Sequence, residues 1–263
     1  MKNPTNGSLA QTFQTLEEYN PALNAGVEKV ALVLQTMALF FLIVLFIIEL
    51  QNYAKKLNSD DGGLTMEIVT SIGMRYLVAF LMVMASGEIL DFIMWLAIQA
   101  SKWVSSVLPE GTYNMTVPGI KGKVGFFEKP IVFLFSAIAQ LAVWTNSYIA
   151  TIIIFLRAIQ LFIFKALAPI FVVFVMSEEL KSIGIGFLKQ FSAYALQGVV
   201  LVLLMGIYPA LMQNDFLAGD VATGMDAWLT NIGVFFLIFL KALVVLVLII
   251  GSQNLAKRLI GGG

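Results

Sequence analysis

Residues 165–210 read KALAPIFVVFVMSEELKSIGIGFLKQFSAYALQGVVLVLLMGIYPA. An apolar run is interrupted by Pro169, stops at a short charged turn from Ser177 to Lys181, and resumes through Gly184 and Gly186. Two membrane-embedded segments joined by so short a polar connection predict a re-entry hairpin. Its polar turn belongs on the face where Lys and Arg collect.

The rest of the chain agrees with that reading. Apolar residues make up 59% of it and charged residues 12%, with a mean hydropathy of +0.90. Soluble domains sit nearer half apolar and a quarter charged, so the composition is that of a polytopic membrane protein. A spanning helix takes about 20 mostly apolar residues, and 263 residues leave room for five or six spans and little soluble domain. Basic and acidic residues balance at 16 each, which removes any global electrostatic case for nucleic-acid binding. The sequence has no His and no Cys. Imidazole acid–base chemistry, thiol nucleophiles, thiolate metal sites and disulfides are therefore excluded. No enzyme, metal or cofactor is expected.

Residues 1–29 are polar and show no apolar core of a cleavable signal peptide. Leu9, Phe13 and Leu16 recur at helical spacing, and Thr15 with Glu18 fits a capping box, predicting a short amphipathic helix. Asn20-Pro21 ends it. The transmembrane domain is expected over residues 30–250. Its spans fall at about 30–50, 72–100, 131–176, 186–212 and 229–250, and residues 251–263 form a cytoplasmic tail.

Residues 101–130 form the longest polar connection. With three prolines and four glycines in 108–130, it reads as a short extramembrane loop or β-prone hairpin. Residues 131–176 would extend about 69 Å as one straight helix, far more than a bilayer needs. The expectation is a bend, a break at Pro169, or a fold-back near Thr145-Asn146-Ser147. A fold-back would make six spans.

Charge sets the orientation. The 213–228 loop has three Asp and no Lys or Arg, so it belongs outside, and the Lys257-Arg258 tail belongs inside. Five spans put 1–29 and 101–130 outside; six put them inside. Lys102, Lys121, Lys123 and Lys129 favour six on charge alone, whereas Thr145-Asn146-Ser147 lacks the Gly or Pro of a tight turn in lipid. The reading adopted is all-α with five spans, with six as the alternative.

Candidate functional residues are the intramembrane charges. Glu88 and Asp91 lie three apart near the middle of the second span, on one helix face. Carboxylates in lipid are costly and tend to face a bundle interior or an aqueous path. Arg157, Lys165 and Lys241 are the available partners, so structural pairing is the expected role and an ion or proton pathway the alternative. Lys121, Lys123 and Lys129 could contact a partner or substrate from the loop, and Lys257 and Arg258 from the tail. Gly184-x-Gly186 lacks a phosphate-loop frame and reads as flexibility at the point of re-entry. Small residues Ser192, Ala193, Ala195, Gly198 and Gly206 permit close helix packing.

Three stretches carry a family resemblance: ALAPIF at 166–171, GFLKQFSAYALQ at 186–197 and SQNLAKRLIGG at 252–262. With the central loop between spans, the chain resembles the polytopic inner-membrane subunit of type IV secretion systems, the TrbL-like or "VirB-six" family of conjugal transfer proteins. The likeness covers mainly residues 130–263, with Ala168-Pro169, Trp228 and Ser252 to Gly262 as matching positions. It implies a non-enzymatic component that helps assemble the translocation channel as a homo-oligomer in the bacterial inner membrane. Implied partners are secretion ATPases and pilin-like or pilus-tip-like proteins. The family's outer N-terminus and loop and its cytoplasmic C-terminus agree with five spans. The central loop is short here, so only its lysines speak for contact with DNA in transit. The alternative function is an ion- or proton-coupled transporter or channel using Glu88, Asp91, Arg157 and Lys241.

Overall fold

The computed structural model describes residues 10–59, 66–107, 117–177, 179–213 and 226–261, and these are helical with no β-strand. After a 3₁₀ turn at Gln11–Phe13 come α1 (Leu16–Tyr19), α2 (Pro21–Ser59), α3 (Met66–Met84), α4 (Ser86–Val107), α5 (Lys129–Phe174), α6 (Lys181–Gln213) and α7 (Ala227–Leu259).

The N-terminal signals act as their chemistry requires. The Thr15 hydroxyl accepts from the Glu18 amide and the Glu18 carboxylate accepts from the Thr15 amide, closing the capping box around the single turn of α1. Asn20 ends that turn and its side chain accepts from the Leu23 amide, capping α2. Pro21 then fills the first position of α2, where its missing N–H has no helical acceptor to lose. The amphipathic helix anticipated here is thus a 3₁₀ turn plus one α-turn; Leu9 lies outside the described residues.

Two expectations for the middle of the chain need correction. The second span is not one straight helix: α3 and α4 meet at Ala85 with a bend of 65°. Ser86-Gly87 stands at the corner, the kind of pair at which helices kink. Backbone bonds from Ala85 to Leu81 and from Ile89 to Ala85 carry the ladder around it. The other concerns 131–176, where α5 runs as one helix of 46 residues with Pro169 inside it, so the chain does not break there. There is no fold-back at Thr145-Asn146-Ser147. The Thr145 and Ser147 hydroxyls donate to the carbonyls four residues earlier, so their polar groups are satisfied within the helix.

The central loop is shorter than expected, since residues 101–107 belong to α4. Residues 108–116, 214–225 and 60–65 of the 54–67 connection lie outside the described residues. So does Glu178 in the 177–181 turn, which otherwise joins α5 to α6 as the hairpin reading anticipates.

The chain divides into two compact units. The first holds 10–13, Ala97–Arg157 and Leu196–Ala256. In it α5 and α7 run parallel, around Val132, Ala139 and Val143 with Phe235 and Ile238. The α6 segment runs antiparallel to α7, around Leu201, Met205, Val245 and Ile249. The second unit holds Gln14–Leu96, Ala158–Ala195 and 257–261. Here α2 packs antiparallel on α3 through Ala38, Leu42, Ile72, Tyr76, Ala79 and Val83. The end of α5 and the start of α6 form a hairpin, with Phe171 stacked on Phe187 at 4.6 Å.

Among the described residues four helices are long and apolar enough to cross a membrane, and the bent α3–α4 pair makes a fifth if counted as one span. The most apolar window of α2 is only 11% buried, leaving Val33, Phe40 and Ile43 facing outward. Such apolar surface needs a hydrocarbon solvent. The architecture is that of a multi-pass helical membrane protein.

Candidate functional site

The α3–α4 bend decides where Glu88 and Asp91 go. They sit in the first turns of α4, beside the corner, not midway along a straight span. Opposite them, α5 presents Lys165, four residues before Pro169. A proline at that position offers no N–H to the Lys165 carbonyl, so a polar backbone group and a charged side chain occur at one residue. All of these groups belong to the second unit.

The Lys165 side chain is 7% exposed. Its ammonium donates to Asp91 Oδ2 at 2.8 Å and to Asn24 Oδ1 at 3.3 Å, and it lies 3.8 Å from Glu28 Oε1. Asn24 in turn donates to Glu28 at 2.8 Å, which fixes the orientation of its amide. Nearby, the Gln35 amide donates to the Val83 and Met84 carbonyls at 3.2 and 3.3 Å, pinning α2 where α3 ends. These groups border a cavity of about 280 Å³ whose lining carries three carboxylates, Glu28, Glu88 and Asp91, against the single ammonium of Lys165. A buried ammonium without counter-charge would be strongly disfavoured; here three polar partners hold it.

The expected pairing of an intramembrane carboxylate with a cation is therefore present between Asp91 and Lys165. Glu88 lines the same cavity from an exposed position. Arg157 and Lys241 are both buried, in the first unit. Arg157 rests against Gly198: a Cβ there would fall 2.7 Å from the guanidinium carbon and both terminal nitrogens. Small residues on α6 do allow close approach, and at Gly198 the space is filled by a charged group. Gly184 has a similar use. A Cβ there would meet the Val175 backbone nitrogen at 2.7 Å, so this glycine serves helix contact and not flexibility at re-entry.

The loop lysines Lys121, Lys123 and Lys129 are exposed, on a segment tied down by Asn231. That side chain accepts from the Lys121 amide at 3.0 Å and donates to the Lys121 carbonyl at 2.7 Å. Gly122, at φ +83°, makes the close turn over Ala227. Lys257 and Arg258 occupy the last turn of α7.

Sequence reasoning missed Asn24 and Glu28 as Lys165 partners, because both were assigned to a polar leader segment. It also missed the Glu49 carboxylate, which accepts from Arg75 and from the Tyr76 hydroxyl, both at 2.7 Å. Adjacent donors on α3 facing a lone acid near the end of the first span were the available signal. Among the described residues no group of three acidic side chains is placed to hold a metal ion.

Comparison with known proteins found no family model that matches this chain and no significantly similar curated protein.

Proposed function

We propose that this chain is a non-enzymatic, multi-pass subunit of a type IV secretion or conjugation apparatus. In this reading it oligomerises in the bacterial inner membrane and helps assemble the channel for DNA or protein. One observation carries it: the three stretches with the family resemblance lie against one another in the fold. Phe171 of ALAPIF stacks on Phe187 of the second stretch. Lys257 of the third lies 5.6 Å above the Tyr194 ring of the second, and Gln197 donates to Ser252 at 3.2 Å. The first two stretches are the arms of one hairpin and meet by its topology; the third is brought to the second by the packing of α7 on α6, 55 residues along the chain.

The unbroken α5 supports five spans, since the sixth required it to fold back. The spans are then α2, the α3–α4 pair, α5, α6 and α7. The N-terminal segment and central loop lie outside and the Lys257-Arg258 end lies in the cytoplasm. Pilin-like proteins, a pilus-tip-like subunit and secretion ATPases are the partners.

The test is purification of the tagged chain from its host in mild detergent, followed by mass spectrometry of what accompanies it. Secretion ATPases and pilin-like subunits are expected. A second reading, an ion- or proton-coupled transporter, has one observation in its favour: the surplus of carboxylate around the Lys165 cavity. A homo-oligomer purified without partners, together with ion flux abolished by Asp91→Asn, would replace the first reading with the second.

A further inference from the structure

A second concave region of the second unit has no part in the Lys165 cluster. It is a groove of about 560 Å³ between the start of α6 and the end of α7, bordered by Ser182, Gly186, Lys189, Gln190, Lys257 and Gly261. Ligand sites typically occupy about 300–1,000 Å³. The groove's described lining carries two ammonium groups and no carboxylate.

One of its cations, Lys257, is positioned. The buried Tyr194 ring lies under Lys257 at 5.6 Å, and the Gln190 amide donates to the Tyr194 hydroxyl at 3.5 Å. A cation held over an aromatic face keeps its charge while losing freedom. Lys189 stands exposed one residue before Gln190. Gly186 faces open space, with nothing within 4 Å of where a Cβ would lie, and Gly261, at φ +73°, turns the chain at the end of α7. The last carbonyls of α7 would repel an anion, and Lys257 with Arg258 in that turn offsets them.

Location supplies the ligand class. The helices that carry the candidate spans begin at Lys181 for α6 and end at Leu259 for α7, so on the five-span reading proposed above the groove lies at their shared cytoplasmic end. Ile185 and Ala193 border it as apolar side chains, alongside the ammonium groups of Lys189 on the same helix and Lys257 on the other. A molecule with a phosphate at one end and acyl chains at the other matches both.

We propose that this groove binds the phosphate of an anionic glycerophospholipid. Lys189 and Lys257 hold the phosphate oxygens, the Ser182 hydroxyl donates to the headgroup, and the acyl chains run along Ile185 and Ala193. Juxtamembrane lysines each contribute modestly to such binding, and two acting together give a preference of about tenfold or more.

The test uses the full chain in mild detergent, offered phosphatidylglycerol or phosphatidylcholine, with retained lipid counted by native mass spectrometry. Wild type should retain phosphatidylglycerol about tenfold over phosphatidylcholine. K189Q/K257Q should lose the preference, K189R/K257R should keep it, and K121Q/K123Q should not change it. If the double glutamine variant fails to elute as folded protein, K189Q alone carries the test, since Lys189 is exposed. Equal preference in wild type and the glutamine variant would overturn the site. Binding of inorganic phosphate alone, dependent on both lysines and without lipid preference, would overturn the lipid assignment in favour of a soluble anion.

Discussion

Two of the buried cations, Lys165 and Arg157, sit in different surroundings. In the second unit Lys165 is held by charge: Asp91 at 2.8 Å, Asn24 at 3.3 Å and Glu28 at 3.8 Å, beside a cavity. In the first unit the Arg157 guanidinium occupies the space that a Cβ on Gly198 would need. The lesson is that the sensitive change differs between the two places: beside Lys165 it is loss of a counter-charge, and at Gly198 it is added volume.

The largest expected effects come from filling shape-made space. Gly198→Leu should destabilise by about 3 kcal/mol, read as a lower melting temperature in detergent. Gly184→Ala should cost a similar amount, because its Cβ meets backbone that cannot rotate away. Gly186→Ala, two residues on with nothing within 4 Å, should be neutral or stabilising by up to about 1 kcal/mol. Equal effects at 184 and 186 would break the shape argument.

Removing a counter-charge comes next. Asp91→Ala strands the Lys165 ammonium and should cost about 2 kcal/mol, below the usual range for a buried pair because the Asp91 side chain is 51% exposed. Adding Lys165→Met should recover part of the loss, and a double-mutant cycle with no coupling would remove the pair from the account. Glu49→Gln weakens the contacts to Arg75 and Tyr76 and should cost about 1 kcal/mol. Glu88→Gln, at an exposed position of the cavity rim, should change stability by less than about 0.5 kcal/mol.

What the sequence made legible follows the same division. Local chemistry was readable: the Thr15–Glu18 box, the Asn20-Pro21 stop, the turn near Ser177, and the need of Asp91 for a cation. Three candidate cations competed for that role, and only tertiary packing selects Lys165. Shape was not readable. Gly198 was one small residue among several until Arg157 was found against it. The bend at Ala85 rests on Ser86-Gly87, a pair that also occurs in straight helices, whereas Pro169 and Thr145-Asn146-Ser147 looked disruptive and lie in an unbroken one. Asn24, Glu28 and Asn231 act on residues 110 to 141 positions away, where no spacing rule reaches.

The central claim is that the chain serves a transfer machine and that its Asp91–Lys165 pair is structural. The direct measurement is transfer frequency in a host deleted for the chain and complemented with wild type, Asp91→Ala, or Asp91→Ala with Lys165→Met. The account predicts that deletion abolishes transfer, the single variant reduces it, and the double variant restores it toward wild type. Undiminished transfer in the deleted host would contradict the claim.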